Sequence, residues 1–192
     1  MDNIVSYIGK IQFDVDSKTK KHQAQSEWKK IAMIIFDSDI AGYYRWFLEK
    51  RFNLKLNDIH RNPHITFISD RFDDLNNASG TKEEKNIIWE SVKAKWDNQE
   101  IEVILNLRPF SNNKSWWLIV DHKHIGKIQS IRQDVGLGSP YFGLHMTFGV
   151  INESLDNKGN IVFNHQLEHS KYINQLNDCG FIDLNKDYME II

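Results

Sequence analysis

Apolar residues along this chain follow two spacings, one typical of strands and the other of helices. Alternation of apolar and polar residues, or a short apolar run, predicts strands because successive strand side chains point to opposite faces. The predicted strands cover residues 4–15, 28–36, 64–69, 100–110, 115–121, 143–151 and 161–163. Polar segments separate them and predict loops, as at residues 16–26 and 70–80.

Helical spacing appears between these strands. The Asp-Ser-Asp segment at 37–39 is a good N-cap cluster, and the residues after it predict a helix over 40–51. Its apolar stripe has the spacing i, i+3, i+4, i+7, i+8 and consists of Ile40, Tyr43, Tyr44, Phe47 and Leu48. The segment 81–84 has the pattern of a capping box, and the helix after it carries Ile88, Val92 and Trp96. Helices are also predicted over 124–135 and 166–176.

The order of these elements favours the α+β class. Short hairpin connections, such as the turn predicted at 111–114, favour antiparallel pairing over a doubly wound parallel sheet. No Pro-, Gly- or Ser-rich linker divides the 192 residues. We therefore expect a single domain over residues 1–192, with two lobes that each contain strands, a helix and a further strand.

Two short segments echo each other and carry the most specific signal in the chain. Residues 63–67 read Pro-His-Ile-Thr-Phe, and residues 144–148 read Leu-His-Met-Thr-Phe. On a strand, His64 and Thr66 share one face, as do His145 and Thr147, while the apolar residues between them fill the core. If the two strands are neighbours, both imidazoles and both hydroxyls line one cleft.

This set of side chains suits acid–base chemistry on a phosphate. A neutral His can remove a proton from an attacking hydroxyl, and an imidazolium can protonate the leaving oxygen. Thr hydroxyls can donate hydrogen bonds to the non-bridging phosphate oxygens. A single His-x-Thr on a strand is usually structural, but two copies with the same apolar flanks, each followed by Phe, favour a functional site.

Composition limits the partners and the compartment. The chain has 24 Lys and Arg against 26 Asp and Glu, a net charge of −2, which disfavours a long nucleic acid as partner. Its single cysteine, Cys179, excludes an intrachain disulfide and is typical of a reducing compartment. The sequence shows neither a signal peptide nor an apolar run of membrane-spanning length. We therefore expect a cytoplasmic protein with no membrane partner.

The paired motifs resemble those of the 2H phosphoesterase superfamily. Further segments, 41–47, 62–66, 116–120 and 141–149, are similar to the phage anti-CBASS phosphodiesterases of that superfamily. Those enzymes cleave the cyclic di- and trinucleotides that bacteria use as immune signals, such as cGAMP. The resemblance implies immune evasion in the host bacterial cytosol, with a cyclic oligonucleotide as the small-molecule substrate.

The resemblance also implies a fold and a mechanism. The fold would be the bilobal 2H phosphoesterase (LigT-like) fold, with two antiparallel sheets around a central cleft and flanking helices. The catalytic residues would be His64, Thr66, His145 and Thr147, acting without a metal or another cofactor. One His would activate a ribose 2′-hydroxyl against the adjacent 3′-phosphodiester, and the resulting 2′,3′-cyclic phosphate would then be hydrolysed.

Substrate-binding residues are harder to predict. Relatives hold bases with aromatic side chains, which makes Tyr7 and Trp117 candidates. Glu168 and Tyr172 could supply a base-edge acceptor and a stacking ring, although an ordinary amphipathic helix would explain them as well. Arg45 either contacts phosphate or lies on the solvated side of its helix. The other His pairs lack the companion ligands that would predict a metal site.

The sequence is also compatible with other functions. Within the enzyme class, the chain could open RNA 2′,3′-cyclic phosphates or cleave 2′,5′-oligoadenylates. A protein of another class, a non-catalytic sponge, would bind the cyclic nucleotide and release it intact. Such a sponge would need the aromatic residues but not two His at matched spacing. The oligomeric state is not predicted.

Overall fold

The computed structural model of the protein describes residues 4–15, 30–52, 55–59, 62–69, 80–111, 115–140, 143–150, 153–155 and 161–163. The strands are β1 (Ile4–Phe13), β2 (Ile31–Phe36), β3 (His64–Ser69), β4 (Glu100–Asn106), β5 (Phe110–Ser111), β6 (Ser115–Ile119), β7 (His145–Val150), β8 (Glu153–Leu155) and β9 (Ile161–Phe163). The helices are α1 (Ile40–Phe52), α2 (Lys82–Trp96) and α3 (Gly126–Asp134), and a 3₁₀ turn at His122–His124 precedes α3.

β1 to β7 form one antiparallel sheet. Its strand order is β4-β1-β2-β3-β7-β6-β5, and β8 and β9 form a separate ribbon. The sheet curls until β4 meets the end of β6, where Leu105 and Val120 form a bridge. The amide of Asp121 donates to the carbonyl of Ile104 at 2.8 Å beside this bridge. The edge strand β4 therefore meets the end of β6 that extends past the short edge strand β5.

The two faces of the sheet differ in what covers them. One face packs against the three helices in a continuous hydrophobic core, which we call the helix face. There the rings of Tyr44 and Phe148 stack at 5.0 Å, and those of Phe13 and Trp89 meet edge to face at 5.0 Å. The opposite face, which we call the open face, has half-buried and exposed residues in alternate positions of β1, β3, β6 and β7.

The open face lines the inside of the curl. Even a closed sheet of about eight strands has room only for side chains or one small ligand. Three helices, each about 10 Å across, do not fit inside such a sheet and must pack on its outer surface. The side chains of the open face therefore converge into a groove.

The sheet has two halves, β1 to β3 and β4 with β6 and β7, which repeat one pairing scheme. β2 pairs with β3 as β6 pairs with β7, and each pair has a single register shift at the same place relative to the His-x-Thr strand. The equivalent pairs are Met33–Thr66 and Trp117–Thr147, Ile34–Ile65 and Leu118–Met146, and Ile35–His64 and Ile119–His145. The fold thus has an internal two-fold correspondence, with β3 and β7 adjacent at its centre.

The α+β class is confirmed, but the expectation of two separate sheets is wrong for the described strands. β1 pairs with β2 over five residue pairs and with β4 over seven, which makes the two halves continuous. By contrast, β3 and β7 share a single registered pair, Ile65–Met146. The halves are therefore joined firmly on one side and only narrowly at the two motifs.

Most of the predicted helices are present. α1 begins at the predicted residue, and the capping box at Thr81 and Glu84 precedes α2. The helix predicted over 166–176 lies outside the described residues. Within the described part of the chain, no helix has the length and apolar character needed to cross a membrane.

Candidate active site

The narrow junction between β3 and β7 brings the two motifs together. Ile65 faces Met146 and the strands are antiparallel, so His64 lies opposite Thr147 and Thr66 lies opposite His145. Ile65 and Met146 are fully buried on the helix face, which directs the His and Thr side chains to the open face. The two imidazoles are then diagonal neighbours, for which Cβ atoms are typically about 7–8 Å apart.

Both imidazoles are held by the same kind of backbone contact. Nδ1 of His64 lies 2.9 Å from the carbonyl oxygen of Asn62, and Nδ1 of His145 lies 3.0 Å from that of Gly143. A carbonyl oxygen only accepts, so Nδ1 carries the proton in each neutral ring. Nε2 is therefore the unprotonated nitrogen in each neutral ring, and it is the atom at which either imidazole could accept or release a proton.

Access to the motif residues is unequal. His145 is exposed, whereas His64, Thr66 and Thr147 are half-buried. None of the four side chains is covered by the apolar core, and all four lie on the face that lines the groove. This is the arrangement that the sequence predicted for the His and Thr side chains.

Trp117 lies beside the two motifs. It pairs directly with Thr147 on the open face, and its ring lies 6.0 Å from that of His145, inclined at 60°. The adjacent Trp116 is buried on the helix face at 2% exposure. The half-buried indole thus offers an aromatic surface next to the His and Thr side chains of the two motifs.

Tyr7 is not brought to this site. It pairs with the buried Val103 on the helix face, and its ring meets that of Phe36 edge to face at 6.3 Å. Partial burial raises the pKa of its phenol. The candidate role of Tyr7 in the cleft is therefore not supported, because it lies on the opposite side of β1 from the groove. Glu168 and Tyr172, the other two binding candidates, lie outside the described residues.

Opposed residues across five strands form two rows on the open face. The first, which we call the Lys10 row, contains Lys10, Ile35, His64, Thr147 and Trp117. The second, which we call the Asn106 row, contains Asn106, Ile119, His145, Thr66 and Met33. The rows correspond position by position under the internal two-fold relation. They match at the Ile, His and Thr positions and differ at both ends, Lys10 against Asn106 and Trp117 against Met33.

Two arginines cross the junction on the helix face, and sequence reasoning missed their role. Arg45 of α1 donates from Nη1 to the carbonyl of Phe148 at 2.9 Å, and Arg132 of α3 donates from Nη1 to the carbonyl of Phe67. Each acceptor is the Phe that ends a His-x-Thr-Phe motif. Each arginine thus ties a helix of one half to the motif strand of the other. Arg45 is neither a phosphate contact nor simply solvated.

The described residues offer no cluster of three or more His, Cys, Asp or Glu side chains that could hold a metal ion. Nδ1 of His124 pairs with Asp121 at 3.1 Å on the surface. This contact and a backbone bond from Lys123, which is the larger effect, lower the pKa of the Asp121 carboxyl. No protein-family model, curated protein or solved structure matches this chain.

Proposed function

We propose that this protein is a phosphodiesterase of the 2H class that cleaves cyclic di- or trinucleotides without a metal ion. The observation that carries the proposal is the pairing of Ile65 with Met146, which puts the His and Thr of both motifs on one open face. A purely structural role for the motifs does not explain why Nδ1 of each imidazole bonds to an equivalent backbone carbonyl. It also does not explain why both rings lie on the face that lines the groove.

The proposed reaction has two steps, each with one acid and one base. In the first, Nε2 of one neutral imidazole takes the proton of a ribose 2′-hydroxyl, whose oxygen attacks the adjacent phosphorus. The other ring, as imidazolium, gives its Nε2 proton to the leaving 5′-oxygen, and a 2′,3′-cyclic phosphate forms. In the second step the two rings exchange roles, and water opens the cyclic phosphate.

Thr66 and Thr147 complete the site. Each is opposite one His in the antiparallel register, so each hydroxyl lies within reach of a phosphate held between the rings. Hydroxyl donors directed at the non-bridging oxygens stabilise the charge that builds up in the transition state. Together, these two threonines and the two histidines, which we call the quartet, can activate the nucleophile, protonate the leaving group and hold the phosphate.

The substrate class is supported by the surroundings of the quartet. The indole of Trp117 can stack on a base beside the reacting phosphate, a contact that all bases can make. The net charge of −2 does not favour a long RNA chain. A cyclic oligonucleotide supplies both bases and phosphates within one small ligand.

A substrate panel in EDTA tests the proposal. It would contain 3′,3′- and 2′,3′-linked cyclic dinucleotides, a 2′,3′-cyclic mononucleotide and a 2′,5′-oligoadenylate. We expect turnover of a cyclic dinucleotide and a loss of at least about 100-fold in kcat for His64→Ala and for His145→Ala. His122→Ala, an exposed histidine outside the site, is the matched control.

Three results would count against the proposal. Full turnover by either quartet variant would exclude the acid–base scheme. Activity confined to the 2′,5′-oligoadenylate or the cyclic mononucleotide would assign the RNA-processing alternatives. Tight binding with intact ligand recovered after denaturation would identify a sponge.

A further inference from the structure

Lys10 is the only Lys or Arg in any described strand, and it lies on the open face. It pairs with Ile35, which in turn pairs with His64. Lys10 is therefore two strands away from His64 in the same row, a separation of about 9.5 Å along the sheet. Because the sheet curls around the open face, Lys10 belongs to the wall of the groove, and its side chain is exposed there.

The Lys10 side chain has no partner among the described residues. It is exposed, and although Glu100 lies opposite it on β4, the two form no ion pair. The lysines Lys30, Lys93 and Lys95 behave differently, since each is paired with a carboxylate on the helix side or the surface. Among the residues that the structure describes, Lys10 is thus a cation of the groove without a carboxylate partner, and an anionic group of a ligand can take that place.

The corresponding position of the other row is neutral. Asn106 occupies it, and its Oδ1 accepts a hydrogen bond from the amide of Arg108 at 2.9 Å. The other differing pair is Trp117 and Met33, of which Met33 is fully buried. Both residues suited to a nucleotide, the Lys10 cation and the half-buried Trp117 indole, therefore belong to the Lys10 row and lie on opposite sides of His64.

We propose that Lys10 binds a second phosphate of the substrate, one sugar away from the phosphate held between His64 and His145. This rests on the proposed function and narrows its substrate class to molecules with at least two phosphates. The substrate lies along the Lys10 row, with a base on Trp117, the reacting phosphate at His64 and Thr147, and the second phosphate at Lys10. A phosphate bound only by the His and Thr side chains of the two motifs gains little from Lys10. The reason is that β2, which carries Ile35, lies between β1 and β3.

The experiment compares two adenine ligands that differ in phosphate number, cyclic diadenylate and 2′,3′-cyclic AMP. Dissociation constants are measured by calorimetry on the wild type, on Lys10→Met and on Lys50→Met, with His145→Ala present in each protein if turnover interferes. Lys50→Met removes the same charge from an exposed site on α1 and is the matched control. We expect Lys10→Met to weaken binding of cyclic diadenylate by about 5-fold and to leave 2′,3′-cyclic AMP unchanged.

Lys10→Arg should restore the affinity, and added salt should weaken diadenylate binding more in the wild type than in Lys10→Met. Equal effects of Lys10→Met on both ligands, or an effect matched by Lys50→Met, would overturn the role of Lys10 while leaving the proposed chemistry intact. Selective loss of diadenylate binding in a protein without turnover would support Lys10 and refute the catalytic proposal. A wild type that neither binds nor cleaves diadenylate would overturn both.

Discussion

Replacement of Arg45 by Met tests whether the arginine bonds across the junction stabilise the fold. Arg45 makes two polar contacts from Nη1, to the Phe148 carbonyl at 2.9 Å and to Asp58 at 2.9 Å. Methionine keeps much of the apolar stem that packs on the sheet, so the change removes mainly the guanidinium. The substitution therefore isolates the polar contacts of Arg45 from its packing.

The two contacts differ in expected strength. The Arg45 side chain is 21% exposed, and its bond to Phe148 joins a charged donor to a backbone carbonyl, a type that contributes about 1.5–3 kcal/mol. The Asp58 side chain is 69% exposed, and such surface ion pairs contribute about 0–1 kcal/mol. The hydrogen bond should dominate, so we expect Arg45→Met to lower the free energy of unfolding by about 2–3 kcal/mol.

Urea denaturation at equilibrium measures this change, and Asp58→Asn is the control for the ion pair. We expect Asp58→Asn to cost less than about 0.5 kcal/mol, because the bond to Phe148 survives. Equal losses in the two variants would show that the ion pair carries the stability. A loss below about 0.5 kcal/mol in Arg45→Met would show that β7 is held in place without this arginine.

Three further predictions concern packing, pH and ligand stacking. Gly149→Ala should destabilise the fold by about 1–3 kcal/mol in urea, because a Cβ there would lie 2.8 Å from Leu56; an unchanged midpoint would show that the 55–59 segment yields freely. Burial raises the pKa of the Tyr44 phenol above its ordinary value of 10.0, so the unfolded chain ionises first and stability should fall as pH rises past 10. Tyr44→Phe should flatten that alkaline decline in thermal melts, and an equally steep decline would assign it to other groups. Trp117→Ala should raise KM for a cyclic dinucleotide about 10-fold or more, since stacking contributes about 1–3 kcal/mol per base, and an unchanged KM would exclude Trp117 as a stacking platform.

The motif strands were predictable because their signal is local. A period of two fixes which side chains share a face, so the common face of His64 and Thr66 follows from the sequence alone. The capping box at Thr81 and the stripe of α1 are also contained within a few residues. Such local patterns do not predict which strand pairs with which. The adjacency of β3 and β7 depends on the pairing of Ile65 with Met146, about 80 residues apart in the sequence.

The face of Tyr7 shows where the local signal ends. Tyr7 and Ile8 are neighbours on β1 and both apolar, so alternation does not decide which of them faces the helices. In the structure Ile8 is 59% exposed and Tyr7 packs towards Phe36. Gly9 helps to fix this choice, because a Cβ there would lie 2.4 Å from Cγ2 of Ile34, so glycine leaves the room that the Ile34 and Phe36 side chains of β2 occupy. That contact is long-range and has no sequence signature.

α2 gives a second example, in which a polar contact selects the buried face. The sequence places Ile88 with Val92 and Trp96, but Ile88 is 42% exposed and Trp89 is fully buried. Trp89 packs on Phe13 and donates its indole N–H to Asp14 at 3.1 Å, an acceptor at the far end of β1. The helix is therefore rotated by about one residue relative to the stripe that its own sequence predicts.

The internal two-fold relation has a consequence for the proposed chemistry. His64 and His145 have equivalent backbone clamps at Nδ1, so the fold prepares two rings with the same tautomer rather than one acid and one base. A phosphodiester is not symmetric, because its nucleophile and its leaving group lie on opposite sides of phosphorus. The choice of acid and base must then come from the direction in which the substrate lies across the two rings. On the open face that direction depends on the ends of the rows, where Lys10 and Trp117 differ from Asn106 and Met33.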